Sequence, residues 1–199
     1  EVIHVMPQEF IVDGERKIKD PVGLYGVKLE AKIHMVTAQV TQAKNLVKCV
    51  HNSGVDVQSL VLEQIASSEA VLTPDERDVG VVLLDCGGGT TDIAVFSDGA
   101  IKYTSNITIG GDFLDNDISF GLGASKQVAK EIKERYGIAS ADLVDGEDEI
   151  KIDKIAGTGR KKISQLELAN IVEPRLEEIF SMARREIMRS GYHDMLPAG

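Results

Sequence analysis

The residues with the clearest chemistry lie between two apolar runs: Asp85, Cys86, Gly87, Gly88, Gly89, Thr90, Thr91 and Asp92, flanked by Val81 to Leu84 and Ile93 to Phe96. The first run reads as a buried strand and the second as its returning partner, with Asp85 to Asp92 as the turn. Consecutive glycines let a backbone bend sharply and bring its N–H groups close to a ligand, and the hydroxyls of Thr90 and Thr91 add donors. That combination suits an anion, above all a phosphate. Asp85, at the end of a buried strand, is placed to hold a phosphate-bound Mg²⁺ through its waters or to orient an attacking water. A glycine-rich hairpin turn with no ligand is the competing reading. A second turn of the same kind, Gly110-Gly111, follows an alternating strand over Ile101 to Ile109 and precedes a helix. Its helical N–H groups and dipole are expected to meet the same anion. The reading therefore requires both turns at one end of one sheet.

The elements that must position these turns follow from periodicity and punctuation. Val2, Val5 and the Phe10-Ile11-Val12 run suggest one strand. Val27, Leu29, Ala31, Ile33 and Met35 suggest another, joined by a polar connection with Asp13-Gly14 and Asp20-Pro21. Thr41 to Ser53 predicts an amphipathic helix, with Thr41 as N-cap, Ala43, Leu46, Val47 and Val50 as its apolar stripe and Gly54 closing it. A strand over Val57 to Leu62 and a helical small-residue segment from Glu63 to Ala70 come next. Asp98-Gly99 signals a tight turn. Ser125 to Tyr136 predicts a helix closed at Gly137, and Asp142 to Ile155 a hairpin strand. Gly157 to Lys162 reads as a basic loop and as the only cluster of positive charge in the chain. Ser164 and Glu167 form an S-x-x-E box opening a helix that Pro174 is expected to kink or restart. Its stripe of Leu176, Ile179, Phe180, Ala183 and Ile187 reads as core.

Apolar residues at 43% and charged residues at 27% of 199 positions predict a soluble globular chain with a sizeable core. A net charge of −10 argues against a nucleic-acid surface, which needs a basic face. Cys49 and Cys86 have no metal-ligand spacing and read as reduced, buried thiols, Cys86 being an apolar filler rather than a nucleophile. No run approaches the roughly 20 apolar residues that span a bilayer, and no segment reads as a secretory signal. The chain opens without Met in what reads as mid-strand, and it is expected to be a fragment.

Several separated blocks carry a family resemblance. D-C-G-G-G-T-T-D-I-A-V looks like the second phosphate motif of the actin, Hsp70 and hexokinase ATPase superfamily. Together with H-V-M-P-Q-E-F (His4 to Phe10), P-V-G-L-Y-G-V-K-L-E-A (Pro21 to Ala31) and L-V-L-E-Q-I-A-S-S-E-A-V-L (Leu60 to Leu72), in that order, it resembles the FtsA family of bacterial cell-division proteins. The resemblance runs from about residue 1 to the end. It implies an α/β chain with the actin-like ATPase fold, comprising an RNase H-like second lobe and part of the family's own 1C subdomain. The implied division is 1–37 for the end of 1C, 38–72 for first-lobe helix and strand with the interlobe connector, 73–124 for subdomain 2A, 125–190 for subdomain 2B, and 191–199 for a return toward 2A.

The resemblance also implies roles. Gly87, Gly88, Gly89, Thr90, Thr91, Gly110 and Gly111 would hold the phosphates of ATP, and Asp85 the waters of Mg²⁺. Glu63 would position the hydrolytic water, although Gln64 stands where the family commonly has proline. Lys133 matches a nucleoside-contacting lysine, while Lys130 occupies the usual acidic position and the nearest acid, Glu131, lies 100° round the helix. Hydrolysis is implied to be slow at most, with ATP a structural ligand. The implied partners are the acidic C-terminal tail of the tubulin-like protein FtsZ, further copies of the chain in filaments, and other divisome proteins at the septum. Arg160, Lys161, Lys162, Asn170 and Arg175 would meet the FtsZ tail. The implied location is the inner face of the cytoplasmic membrane, reached through an amphipathic helix beyond residue 199. Two alternatives stand beside this: another superfamily filament or assembly ATPase, MreB-like or PilM-like, and an FtsZ-binding module that takes no nucleotide.

Overall fold

The computed structural model describes residues 1–145, 149–153 and 160–199, the side chains at 152, 153, 160 and 161 excepted. Eight strands and six α-helices run in the order β1 (Val2–Val12), β2 (Glu15–Ile18), β3 (Leu29–Thr37), α1 (Val40–Asn52), α2 (Glu63–Val71), α3 (Pro74–Val79), β4 (Val81–Cys86), β5 (Thr91–Ser97), β6 (Ala100–Ile107), α4 (Gly111–Leu122), α5 (Lys126–Tyr136), β7 (Glu149–Asp153), β8 (Arg160–Ser164) and α6 (Gln165–Ser190), among the described residues. They form two compact units: Glu1–Leu83 with Ile93–Ser105 and Ser190–Gly199, and Leu84–Asp92 with Asn106–Arg189.

In the first unit, β1 is central in an antiparallel sheet of order β2-β1-β3. Asp13 and Gly14, with φ of 49° and 91°, make the turn that feeds β2, a short strand hidden in the polar connection that alternation passed over. The period of two in β3 is as expected, yet Leu29, Ile33 and Met35 are 61%, 45% and 51% exposed, so that face is not core in this chain. The opposite face is tied down by hydrogen bonds. Gln8 Nε2 donates to the carbonyls of Ile101 and Lys102, His34 Nε2 lies 3.0 Å from Thr104 Oγ1, and His4 Nε2 accepts the Leu62 N–H.

That last bond bears on a correction. No strand forms over Val57 to Leu62, because a strand needs a neighbouring ladder; Leu62 turns its N–H to an imidazole instead. Helix α1 begins one residue before the expected cap, with Gln39 rather than Thr41 at N-cap, and of its stripe only Ala43 is buried. Helix α3 carries a capping box between Thr73 and Glu76 with Pro74 in its first turn. The sheet β4-β5-β6 has consecutive neighbours joined by short turns, hence antiparallel. Val81, Leu83, Ala94, Phe96 and Ile101 form its core, with Met6, Ile65 and Leu72 packed against them. The chain's last residues run along β4, Ala198 N–H donating to Gly80 O and Val82 N–H to Gly199 O. Both thiols, expected buried, are exposed: Cys49 lies on the uncovered part of α1, and Cys86 is the last residue of β4.

The second unit packs α4, α5 and α6 around Leu114, Ile118, Leu122, Ala129, Ile132, Leu168 and Val172, with Ile150 and Ile163 from the β7–β8 pair. Ser164 Oγ accepts the Glu167 N–H, as the box predicted. Helix α6 runs through Pro174 without restarting. Ile179 and Ala183 of its stripe are buried, whereas Phe180 is 53% exposed. Arg160 to Lys162 belong to β8 rather than to a loop, Lys162 facing Lys151 in the ladder. Gly157 to Gly159 lie outside the described residues. Among the described residues no helix is long and apolar enough to cross a membrane.

Burial holds His34 below its ordinary value of 6.5 and so keeps it neutral in the folded chain. The unfolded chain binds that proton first. Stability is therefore expected to fall as the pH drops through about 6.5, toward the lower folded value, and His34→Gln should flatten the slope of urea midpoint against pH between about 7.5 and 5.5.

Candidate functional site

Strand β4 runs through Asp85 and ends at Cys86, so the turn is Gly87 to Thr90, tighter than the Asp85 to Asp92 span expected from sequence. Gly87 N–H donates to Thr90 O across it at 2.9 Å. Gly88 and Gly89 are exposed, and their N–H groups make no backbone hydrogen bond among the described residues. A Cβ on Gly89 would have nothing within 4 Å, so the turn presents open space at its tip.

The two glycine turns are bonded to each other. Gly111 N–H donates to Gly87 O at 2.9 Å and Asp112 N–H to Gly88 O at 2.8 Å. Gly110 is buried at the contact: a Cβ there would lie 2.6 Å from Gly88 O and closer still to Gly87 O, which only glycine permits. Both turns therefore stand at one end of one sheet, as the sequence reading required.

The contact also corrects that reading. The first amides of α4 were expected to be free for an anion, but the carbonyls of Gly87 and Gly88 already take them, and Phe113 N–H returns to Gly110 O. Thr91, expected to donate to phosphate, is fully buried and its hydroxyl donates to Ile109 O at 2.8 Å. A hydroxyl has one proton to give, so Thr91 ties the turns together rather than facing a ligand. Thr90 Oγ1 donates to Asp92 Oδ2 at 3.2 Å.

Two carboxylates flank the cradle. Asp112 stands in the first turn of α4, its Oδ1 3.2 Å from where a Gly88 Cβ would be. Asp115 is buried and pairs with Lys133 Nζ at 2.7 Å; the same ammonium donates to Gly111 O at 2.9 Å. Lys133 thus sits beside the glycines as expected, although held by the chain itself. The final D of the G-G-x-x-x-D pattern was the available signal for Asp115, whereas nothing in the sequence marked Asp112. Asp112 and Asp115 also line, with Asn116, Lys126, Gln127 and Lys130, a hollow of about 270 Å³. Glu131 turns aside to Gln127, its Oε1 accepting from Nε2 at 3.0 Å. Asp85 is half-buried in β4, and Glu63 is exposed in the first turn of α2.

The residues expected to meet a partner are placed differently from one another. Asn170 is exposed on α6, and Lys162 is exposed on β8 with Nζ 2.5 Å from Glu149 Oε2. The side chains of Arg160 and Lys161 lie outside the described residues. Arg175 is not a free cation: Nε donates to Asp117 Oδ2 at 2.6 Å, a second nitrogen reaches Glu178, and the guanidinium lies over the Phe113 ring. The Asp117 hydrogen bond raises its already high pKa further.

Comparison with known proteins agrees with this architecture. The family model described as cell division protein FtsA matches residues 82–195, and that of the SHS2 domain inserted in FtsA matches residues 1–37. The cell division protein FtsA of Pseudomonas aeruginosa is 44% identical over 198 residues, covering 100% of this chain and 48% of the relative. The chain thus spans about half the length of that relative. Among solved structures, MreB5 of Spiroplasma citri bound to ADP superposes with a TM-score of 0.60 at 22% identity, over 76% of this chain and 52% of that one. The PilM-PilN type IV pilus biogenesis complex gives 0.62 at 13% identity, over 92% and 45%. At such identities these likenesses establish the fold alone, which is that of the actin-like ATPases. The family model covers more than half of the sequence, and the chain belongs to the FtsA family of cell-division proteins.

Proposed function

We propose that this chain is the phosphate-gripping and partner-docking part of an ATP-binding cell-division adaptor. The observation that carries the reading is the mutual hydrogen bonding of the Gly87–Thr90 and Gly110–Gly111 turns, which leaves the exposed Gly88 and Gly89 amides and open space at the tip. Gly87, Gly88, Gly89 and Thr90 form the cradle for the nucleotide phosphates. Gly110 and Gly111 complete it from below, with Thr91 as the tie and Lys133 steadying the Gly111 carbonyl. ATP here supplies negative charge and a ligand that favours the bound state, so that slow hydrolysis, with Glu63 positioning the water, suffices for the role. Among the described residues no group of three or more acid, histidine or cysteine side chains converges into a metal cage. A Mg²⁺ that rides on phosphate and meets Asp85 through its waters needs none.

Docking of an acidic FtsZ tail is proposed on subdomain 2B, residues 125–190, through the exposed Lys162 and Asn170 together with Arg160 and Lys161, while Arg175 braces α6 through Asp117. The remaining segments are proposed as the end of subdomain 1C in 1–37, connector in 38–72, subdomain 2A in 73–124 and its return in 191–199. Self-association in filaments, contact with other divisome proteins and attachment to the inner face of the cytoplasmic membrane at the septum complete the adaptor's role. The test is ATP affinity of Asp85→Ala with and without Mg²⁺. The expected result is a loss of about tenfold or more in Mg²⁺ only, from the removed charge-assisted contact. Equal affinity of the two proteins in Mg²⁺ would refute the assignment of Asp85.

A further inference from the structure

We propose a separate anion site in the first unit, a cavity of about 470 Å³ that takes a compact ligand carrying two or more phosphate or carboxylate groups. Arg16 and Lys17 of β2, Lys19 just after it, Lys32 of β3 and Lys102 of β6 all line it. Arg16, Lys17 and Lys19 are neighbours in sequence and the fold sets Lys32 and Lys102 beside them, so the basic segment at 160–162 is not the chain's only positive cluster. Glu9 and Asp98 are the only carboxylates in the lining. In a chain of net charge −10 the cavity therefore holds a local surplus of positive charge, and a concave wall strengthens its field.

The internal pairing leaves that surplus in place. Asp98 is shared, 3.9 Å from Lys17 Nζ and 3.6 Å from Lys102 Nζ. Glu9 holds Lys32 at 3.0 Å, and Lys19 reaches Asp78 at 2.9 Å. Arg16 makes no ion pair among the described residues, and its fork is the side chain best suited to grip a phosphate or carboxylate bidentately. Lys102 is held in the wall, its side chain only 9% exposed. Backbone strain is also concentrated here. Of the three non-glycine residues with positive φ among the described residues, Lys17 (62°) and Asp98 (52°) both line the cavity. Lys17 is kept in that conformation by its N–H donating to Glu9 Oε1 at 3.0 Å. A residue persists in such a conformation where its surroundings over-determine it, and here Glu9 fixes the backbone from which the exposed Lys17 side chain leaves β2. Glu9 and Asp98 interleave with the cations, so a long acidic peptide would meet like charges at intervals, while a small polyanion can avoid them.

Citrate and pyrophosphate, titrated calorimetrically into the protein at low ionic strength, are the probes. Both are expected to bind, and binding should weaken about tenfold in Arg16→Ala, recover in part in Arg16→Lys and fall with added salt. Arg16 is exposed, so its substitution leaves the fold intact, and Lys102→Gln gives an independent second lesion. Repeating the titration in Gly89→Ala, which crowds the phosphate cradle of the proposed function, reads binding there separately from binding here. Absence of citrate and pyrophosphate binding, or equal binding by Arg16→Ala, overturns the proposal. Tighter binding of hexaglutamate than of either small anion overturns it too, and assigns the surface to an acidic protein.

Discussion

Gly110→Ala is expected to be the most damaging small substitution within the two glycine turns. Its methyl group would be driven into the carbonyls of Gly87 and Gly88, which are backbone atoms with no rotamer in which to escape. The turns would have to separate, and the bonds from Gly111 N–H to Gly87 O and from Asp112 N–H to Gly88 O would lengthen or break. Overpacking of this kind costs about 3 kcal/mol, at the upper end of its ordinary range because nothing flexible can give. For a domain of this size that corresponds to a fall of roughly 6–12 °C in Tm, read by thermal unfolding. Gly89→Ala is the control. Its Cβ meets nothing within 4 Å and its φ is not in the left-handed region, so stability should stay within about 0.5 kcal/mol. Nucleotide affinity should fall in both, through a collapsed cradle in one and a crowded cradle in the other. Equal Tm for the two variants would show that the turns do not depend on their contact.

Lys133→Met should have the next largest effect. It strands the Asp115 carboxylate, whose side chain is only 10% exposed, and deprives Gly111 O of a donor. An uncompensated buried charge costs about 3 kcal/mol, whereas neutralising both partners together costs far less. The measurement is urea unfolding of Lys133→Met, Asp115→Asn and the double variant, with the slope against denaturant unchanged. The double variant is expected to recover most of the loss of Lys133→Met. A single variant within about 0.5 kcal/mol of the parent would mean that Asp115 finds water or another donor, and that the pair does not hold the second turn.

Features set by a few neighbouring residues were legible in the sequence. The glycine turn, the Ser164 cap and the Ser125 to Gly137 helix all depend on local backbone chemistry, and each stands within a residue or two of its expected position. Features that depend on distant partners were not legible. Val57 to Leu62 has the composition of a strand but no ladder to join, and periodicity cannot report a missing neighbour. Arg175 reads as a free cation until Asp117, fifty-eight positions away, is brought against it. The amides of Gly111 and Asp112 looked available for the same reason, since their acceptors lie in another turn. The exposure of Cys49 and Cys86 follows from packing around α1 and at the end of β4, which composition does not encode.

The rims of the β4-β5-β6 sheet have a consequence for assembly. An unpaired rim invites a foreign strand to zip on through its bare amides and carbonyls. Beside β4 the Val82 amide is already satisfied by the chain's own tail, and beside β6 the carbonyls of Ile101 and Lys102 are plugged by a single glutamine, Gln8. The Val82 amide and the Ile101 and Lys102 carbonyls are therefore closed to an added strand, and a ladder extended at either flank would have to begin beyond them.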